Sequence, residues 1–173
     1  TLILLFLDLN NFKHVNDMFG HEAGDELLKA VGHRLAASAR SHEMVARLGG
    51  DEFVVLLEGL QSDEHVPSVI ERLNTGLQQP VLVADQIFRP QASIGMAMYP
   101  RDGENPKELL RAADMAMYAQ KYLKKSADGR KFTARYSVGQ CQFMIQLETA
   151  CSRVNGKSPM HSSGNARRAA FHV

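Results

Sequence analysis

The stretch from Val45 to Leu57 constrains the fold more than any other part of the chain. Val45-Ala46-Arg47-Leu48 leads into Gly49 and Gly50, and Phe53-Val54-Val55-Leu56-Leu57 leads away from them. Two strand-like runs around a glycine pair predict a β-hairpin, with strands over residues 44–47 and 53–57, because glycine takes the positive φ of a tight reversal at no steric cost. Asp51 and Glu52 then fall at the hairpin tip. Packing alone gives little reason for two acids on a rigid turn. They suit a cation and, through it, a phosphate.

Around this hairpin the chain reads strand, helix, helix, hairpin, helix, strands, helix. Leu2-Ile3-Leu4-Leu5-Phe6-Leu7 is a continuous apolar run, read as a buried strand that closes at Asp8-Leu9-Asn10-Asn11. Residues 12–18 predict a short helix closed by Gly20. Residues 21–40 predict a longer one, with Leu27, Leu28, Val31, Leu35 and Ala36 at helical spacing and Asp25 and Glu26 near its start. Residues 66–77 predict a second amphipathic helix with Pro67 in its first turn. Residues 81–83 and 87–89 predict a strand pair around Asp85-Gln86. Residues 92–98 predict a strand in which Gly95 marks a close approach of backbone or ligand. Asp102-Gly103 then turns the chain into a helix over about residues 106–125. Strands joined by both hairpins and helices predict an α/β (α+β) fold, a mostly antiparallel sheet with helices packed on it.

At 173 residues the chain has room for one domain with a tail. A formal net charge of +1 offers no bulk attraction to nucleic acid or to a membrane surface, and neither is expected as a partner. Cys141 and Cys151 make no metal-ligand spacing and read as free thiols of a reducing, cytoplasmic compartment. No apolar run approaches the roughly 20 residues that span a bilayer, and no basic leader precedes the first strand. A chain that begins inside a strand is expected to be part of something longer, and that whole could be membrane-attached. The domain is expected over residues 1–136. Beyond it, in residues 137–173, Phe143, Met144, Leu147, Cys151 and Val154 could line a short helix, and the polar, basic remainder reads as a disordered tail.

Asp8, at the end of the first strand, and Asp51, at the hairpin tip, converge if their strands are neighbours. Mg²⁺ takes oxygen ligands, commonly one or two carboxylates with substrate phosphates. Taken singly, each acid is as easily a turn residue; together, with Glu52 beside them, they favour a metal. Asn16 and Asp25 form a second set. Guanine presents O6 as an acceptor beside two donors, which an amide and a carboxylate can serve, and adenine has the wrong pattern. Spacing alone favours simpler roles, with Asp25 near a helix start and Asn16 in a turn. Lys13 and Lys121 are candidate phosphate partners. His21, between Gly20 and Glu22, is more often a cap or a surface residue than a ligand.

In combination these residues resemble a known family. Arg47-Leu48-Gly49-Gly50-Asp51-Glu52-Phe53 is similar to the signature of the GGDEF family of diguanylate cyclases. Asp8-Leu9-Asn10-Asn11-Phe12-Lys13, Asn16-Asp17, Gly20-His21 and Gly24-Asp25 resemble its first block, and Ser93-Ile94-Gly95 and Ala113-Asp114-Met115-Ala116-Met117-Tyr118 its later ones. The resemblance covers about residues 2–125. It implies a nucleotidyl-cyclase-like fold whose central, mostly antiparallel sheet has five strands. It also implies condensation of two GTP into cyclic di-GMP with release of two pyrophosphates. By the same resemblance Asp8, Asp51 and the Leu9 carbonyl hold Mg²⁺ (or Mn²⁺), with Asp51 and Glu52 catalytic. Asn16 and Asp25 read guanine with His21 near the nucleotide, and Lys13, Lys121, Lys125 and the Asn11–Phe12 backbone hold phosphates. Each domain binds one GTP, so a homodimer is implied, with attached sensory or effector domains in the full-length protein.

The departures are specific. Asn10 stands where the family has a second acid. Arg40-Ser41-His42-Glu43 stands where the resemblance implies an Arg-x-x-Asp product-inhibition site, and glutamate's extra methylene makes Arg40 and Glu43 a degenerate version of it. Gly129-Arg130 comes late after Lys121, which makes Lys125 the replacement for the usual arginine. The family's Leu-Thr-Gly-Leu turn and its helix are not in this sequence. The alternative to a cyclase is an inactive module of the same fold that binds GTP or cyclic di-GMP and regulates an attached domain. The intact acids at Asp51 and Glu52 argue against it.

Overall fold

The computed structural model describes residues 2–59 and 63–126; the expected short helix and tail in residues 137–173 lie outside them. The first strand, β1 (Leu2–Leu9), is followed by helix α1 (Phe12–Ser38), the hairpin strands β2 (Glu43–Gly49) and β3 (Glu52–Glu58), and helix α2 (Val66–Leu77). Strands β4 (Val81–Val83), β5 (Gln86–Phe88) and β6 (Ala92–Tyr99) come next, then helix α3 (Pro106–Ser126). The sheet order is β2-β3-β1-β6, and β1 runs antiparallel to both β3 and β6. Among the described residues this sheet has four strands, where five were expected. The three-residue strands β4 and β5 pair only with each other.

The unbroken apolar run of β1 is explained by its place at the centre of the sheet. Alternate residues face opposite sides of a strand. Ile3, Leu5, Leu7 and Leu9 join Phe53, Val55 and Leu57 beneath α1 and α2. Leu2, Leu4 and Phe6 join Val54 and Leu56 on the side covered by α3. Gly95 fixes how closely α3 sits on β6, since a Cβ there would stand 2.0 Å from the Ala113 carbonyl oxygen and 2.2 Å from the Met117 nitrogen. The close approach expected at this glycine is therefore a helix backbone. Arg34 of α1 donates to the carbonyls of Leu77 at 3.2 Å, Pro80 at 2.6 Å and Gln79, and so ties the end of α2 to α1.

Several boundaries differ from expectation for local reasons. Strand β1 runs one residue past Asp8 to Leu9, so Asp8 stands at the strand's end as expected. The two helices expected on either side of Gly20 form one element with a kink at that residue, where φ is 86° and ψ is 166°. The hairpin pairs Gly49 with Glu52, so its loop residues are Gly50 and Asp51 rather than Gly49 and Gly50. A bulge between Arg47 and Gly49 shifts the register by one residue. Gly50 carries the positive φ of 53°, at the first loop position, where a tight hairpin turn takes glycine. The β4–β5 turn is likewise one residue earlier than expected, at Ala84 and Asp85.

Candidate active site

Three carboxylates meet where β1 ends and β3 begins. Asp8 continues the series Leu2, Leu4, Phe6 on the α3 side of the sheet, and Glu52 continues the series Val54, Leu56 on that same side. The register sets Asp8 directly opposite Glu52. Opposed residues on one face have Cβ atoms about 5 Å apart. Asp51 joins them through the backbone, because the Leu9 N–H donates to the Asp51 carbonyl at 3.2 Å. At the tip, Arg47 Nε donates to the Gly50 carbonyl at 3.0 Å and braces the turn.

Burial and crowding change how Asp51 and Glu52 titrate. Burial raises the Asp51 carboxyl and the charge of Asp8 raises it further, against its own backbone hydrogen bond, Lys121 and Arg47. Glu52 is pushed up to about 7, first by burial and then by Asp8, Asp51 and Asp114, with Lys121 opposing. The cation comes from α3: Lys121 Nζ donates to Asp8 Oδ1 in an ion pair. Asp114 lies two helical turns earlier on the same side of α3. Asp114 was not among the expected site residues, although its seven-residue spacing from Lys121 already puts the two on one side of a helix. Ser93, fully buried opposite Asp8 on β6, donates to Asn10 Oδ1 at 2.9 Å. Asn10 is thus held by a hydroxyl beside the acids and adds no charge to them.

No three His, Cys, Asp or Glu side chains among the described residues form a ready metal cage. An ion held here would take two carboxylates at most and complete its shell with carbonyl, water or ligand oxygens. That is the habit of Mg²⁺. The donors present are all oxygens, and the repulsion that raises Asp51 and Glu52 is what a dication would relieve.

The second set of residues lies along α1. A Cβ on Gly24 would stand 1.9 Å from Asn16 Oδ1, so the Asn16 amide lies over the residue that precedes Asp25. Asn16 Oδ1 is buried and has no hydrogen-bond partner among the described residues. Asp25, His21 and Lys13 are exposed. The fold thus brings Asn16 across the kink to the helical turn that carries Asp25, and Asp25, His21 and Lys13 reach solvent from the same helix. Asn11 precedes α1 with φ 61° and no side chain caps the helix, which leaves its first N–H groups free for an anion. Phe12 packs into the core behind them.

One expected residue, Glu43, stands apart. The Glu43 side chain is 2% exposed, accepts from the Arg40 N–H at 2.8 Å and is paired with Arg72 of α2 at 2.5 Å. Arg72 was missed in the sequence, where nothing local links it to Glu43. Lys125 is in the last turn of α3, and its side chain lies outside the described residues.

An antiparallel sheet flanked by helices, with an acid-tipped hairpin beside its central strand, defines a nucleotidyl-cyclase-like domain. Residues 1–127 match the family model for the diguanylate cyclase GGDEF domain, and the chain belongs to that family. MucR of Pseudomonas aeruginosa, named a bifunctional diguanylate cyclase/cyclic di-GMP phosphodiesterase, is 44% identical over 118 residues, which are 68% of this chain and 17% of that protein. NbdA of the same organism, named a cyclic di-GMP phosphodiesterase, is 39% identical over 120 residues, 69% of this chain and 15% of that one. The crystal structure of the GGDEF domain of TpbB (YfiN) from P. aeruginosa superposes with a TM-score of 0.67 at 39% identity, covering 70% of this chain and 76% of that chain. The chain therefore spans about one sixth of the length of the first two relatives. No helix among the described residues is long and apolar enough to cross a membrane.

Proposed function

We propose that this domain is a diguanylate cyclase, which joins two GTP molecules into cyclic di-GMP and releases two pyrophosphates. The observation that carries this reading is the meeting of Asp8 and Glu52 on one face of the sheet, with Asp51 next to them in the hairpin loop. Asp8, Asp51 and the Leu9 carbonyl are the groups that would hold Mg²⁺. When bound, the ion supplies charge stabilisation to the attacking and leaving oxygens of a phosphoryl transfer.

The chain's own residues divide the remaining work. Glu52, with a carboxyl pushed up to about 7, is the group best matched to accept the proton of a ribose 3′-hydroxyl near neutral pH. Asn16 and Asp25 meet the guanine edge, where an N–H of the base would donate to Asn16 Oδ1 and supply the partner that atom lacks. The open N-terminus of α1 at Asn11 and Phe12, with Lys13 and His21 exposed nearby, faces the phosphates. Lys121 and Lys125 serve the phosphates from α3. One acid cluster accommodates one nucleotide, so two copies must face each other for the 3′-hydroxyl of one GTP to reach the α-phosphate of the other.

The test is incubation of purified protein with GTP and Mg²⁺, followed by chromatography of the nucleotides. Cyclic di-GMP formed at a rate that rises faster than linearly with protein concentration is the expected result. Tight GTP binding without product would instead favour the regulatory module, a reading kept in view by the relative named only as a phosphodiesterase.

A further inference from the structure

The ion pair between Lys121 and Asp8 joins residues 113 positions apart in the chain. It is well enclosed, the two side chains being 20% and 15% exposed. Asp8 is also a carboxylate assigned above to a divalent cation, so two cations have a claim on the same oxygens. Glu52 stands directly opposite Asp8, and Asp51 is tied to the neighbouring Leu9, so the same ammonium faces the whole cluster. One ammonium thus offsets three acids. A dication at Asp8 with the ammonium still in place would set like charges a few ångströms apart in a partly enclosed site.

We propose that Lys121 is the internal counter-ion of the acid cluster: it holds Asp8 in the nucleotide-free protein and gives it up when a divalent cation binds. The inference rests on the cation reading of Asp8 and Asp51. Exchange requires no movement of α3, whose backbone is pressed onto Gly95 through Ala113 and Met117. Only the flexible four-carbon stem of the lysine has to swing. The released ammonium then faces whatever anion accompanies the ion, so occupancy of the acids and readiness of the phosphate partner are linked.

The experiment is a titration of Mn²⁺ into nucleotide-free protein, with free ion read by electron paramagnetic resonance. Wild type, Lys121→Met and Asp8→Asn are compared, each checked for folding by circular dichroism. Lys121→Met keeps the length of the stem and removes the charge; Lys121→Gln replaces it if the methionine variant does not fold. The expected result is Mn²⁺ affinity about five-fold tighter without the lysine charge, the size of a partly exposed ion pair removed from competition. Turnover of GTP in the same variant falls, so binding and activity move in opposite directions. Unchanged or weaker Mn²⁺ binding in the lysine variant, with wild-type binding still lost in Asp8→Asn, overturns the counter-ion role alone. Mn²⁺ binding that is absent from wild type or indifferent to Asp8→Asn overturns the cation reading and this inference together.

Discussion

At the β1–β3 end of the sheet, three carboxylates are fixed by backbone register, and Lys121 partly neutralises them. Along α1, Asn16, His21 and Asp25 project from a helix broken at Gly20, and the buried Asn16 Oδ1 has no partner among the described residues. The first region is pre-set: its strands are buried on both faces, and its acids are held close together with Lys121 offsetting only part of their charge. The second is open, with exposed side chains and an unmet hydrogen bond that a ligand can supply. Chemistry demands fixed geometry, whereas recognition can draw part of its binding free energy from groups the fold leaves unsatisfied.

The largest expected effect separates the two regions outright. Asp51→Ala should lower cyclic di-GMP formation by about 10³-fold or more, the scale of losing charge stabilisation at a reacting phosphate. Its melting midpoint should hold or rise, since one of three repelling acids is gone. Nucleotide chromatography and a thermal melt read both. Turnover that survives would remove Asp51 from the chemistry.

Gly95→Ala tests whether the rigidity of the acid end comes from α3. The added Cβ meets helix backbone at 2.0 Å and 2.2 Å, not a movable side-chain tip. A cost of about 2–4 kcal/mol is expected, seen as a lower urea midpoint. Lys121 and Asp114 ride on α3, so turnover should fall more than GTP affinity does. Wild-type stability would show that α3 has room to retreat.

Asn16→Ala probes the open region. Removing a buried, unpartnered oxygen should leave stability within about 1 kcal/mol of wild type. The KM for GTP should rise about ten-fold, and the preference for GTP over ATP should shrink. A marked loss of stability with unchanged KM would make Asn16 a structural residue of the kink.

The same contrast explains what was legible in the sequence. The acid cluster follows from local patterns, since an apolar run ending at Asp8 and a glycine-turned hairpin ending at Glu52 need only pair antiparallel to meet. The boundaries of α2 were likewise set by its own periodicity and proline, and the structure places them at Val66–Leu77. What was not legible depended on distant partners. Glu43 reads as a conservative replacement until Arg72 is seen on it, 29 residues along the chain. The bulge at Leu48 moved the hairpin loop by one residue, a shift that a glycine pair cannot reveal because either glycine satisfies the turn. Strands β4 and β5 have the composition of sheet members, but their three-residue length lets them close only on each other.

The smallest effect concerns pH and belongs to the acid end alone. Glu52 titrates near 7 in the folded protein against 4.5 in an unfolded chain, so between those values the folded state binds more protons. Stability is then greatest at the acid side of this window and declines as pH rises through about 7. Asp51, also raised, acts in the same direction, whereas Asp102 is lowered by its hydrogen bond from Arg101, and its contribution changes only at lower pH. Glu52 is half-buried, so solvent screening reduces the effect to roughly 1–3 °C in the melting midpoint between pH 5 and pH 8. Glu52→Gln, which carries no charge at either pH, should flatten that slope, and millimolar Mg²⁺ should flatten it in the wild type by neutralising the same cluster. A slope that persists in Glu52→Gln would place the titration elsewhere and leave the acid end less strained than its register implies.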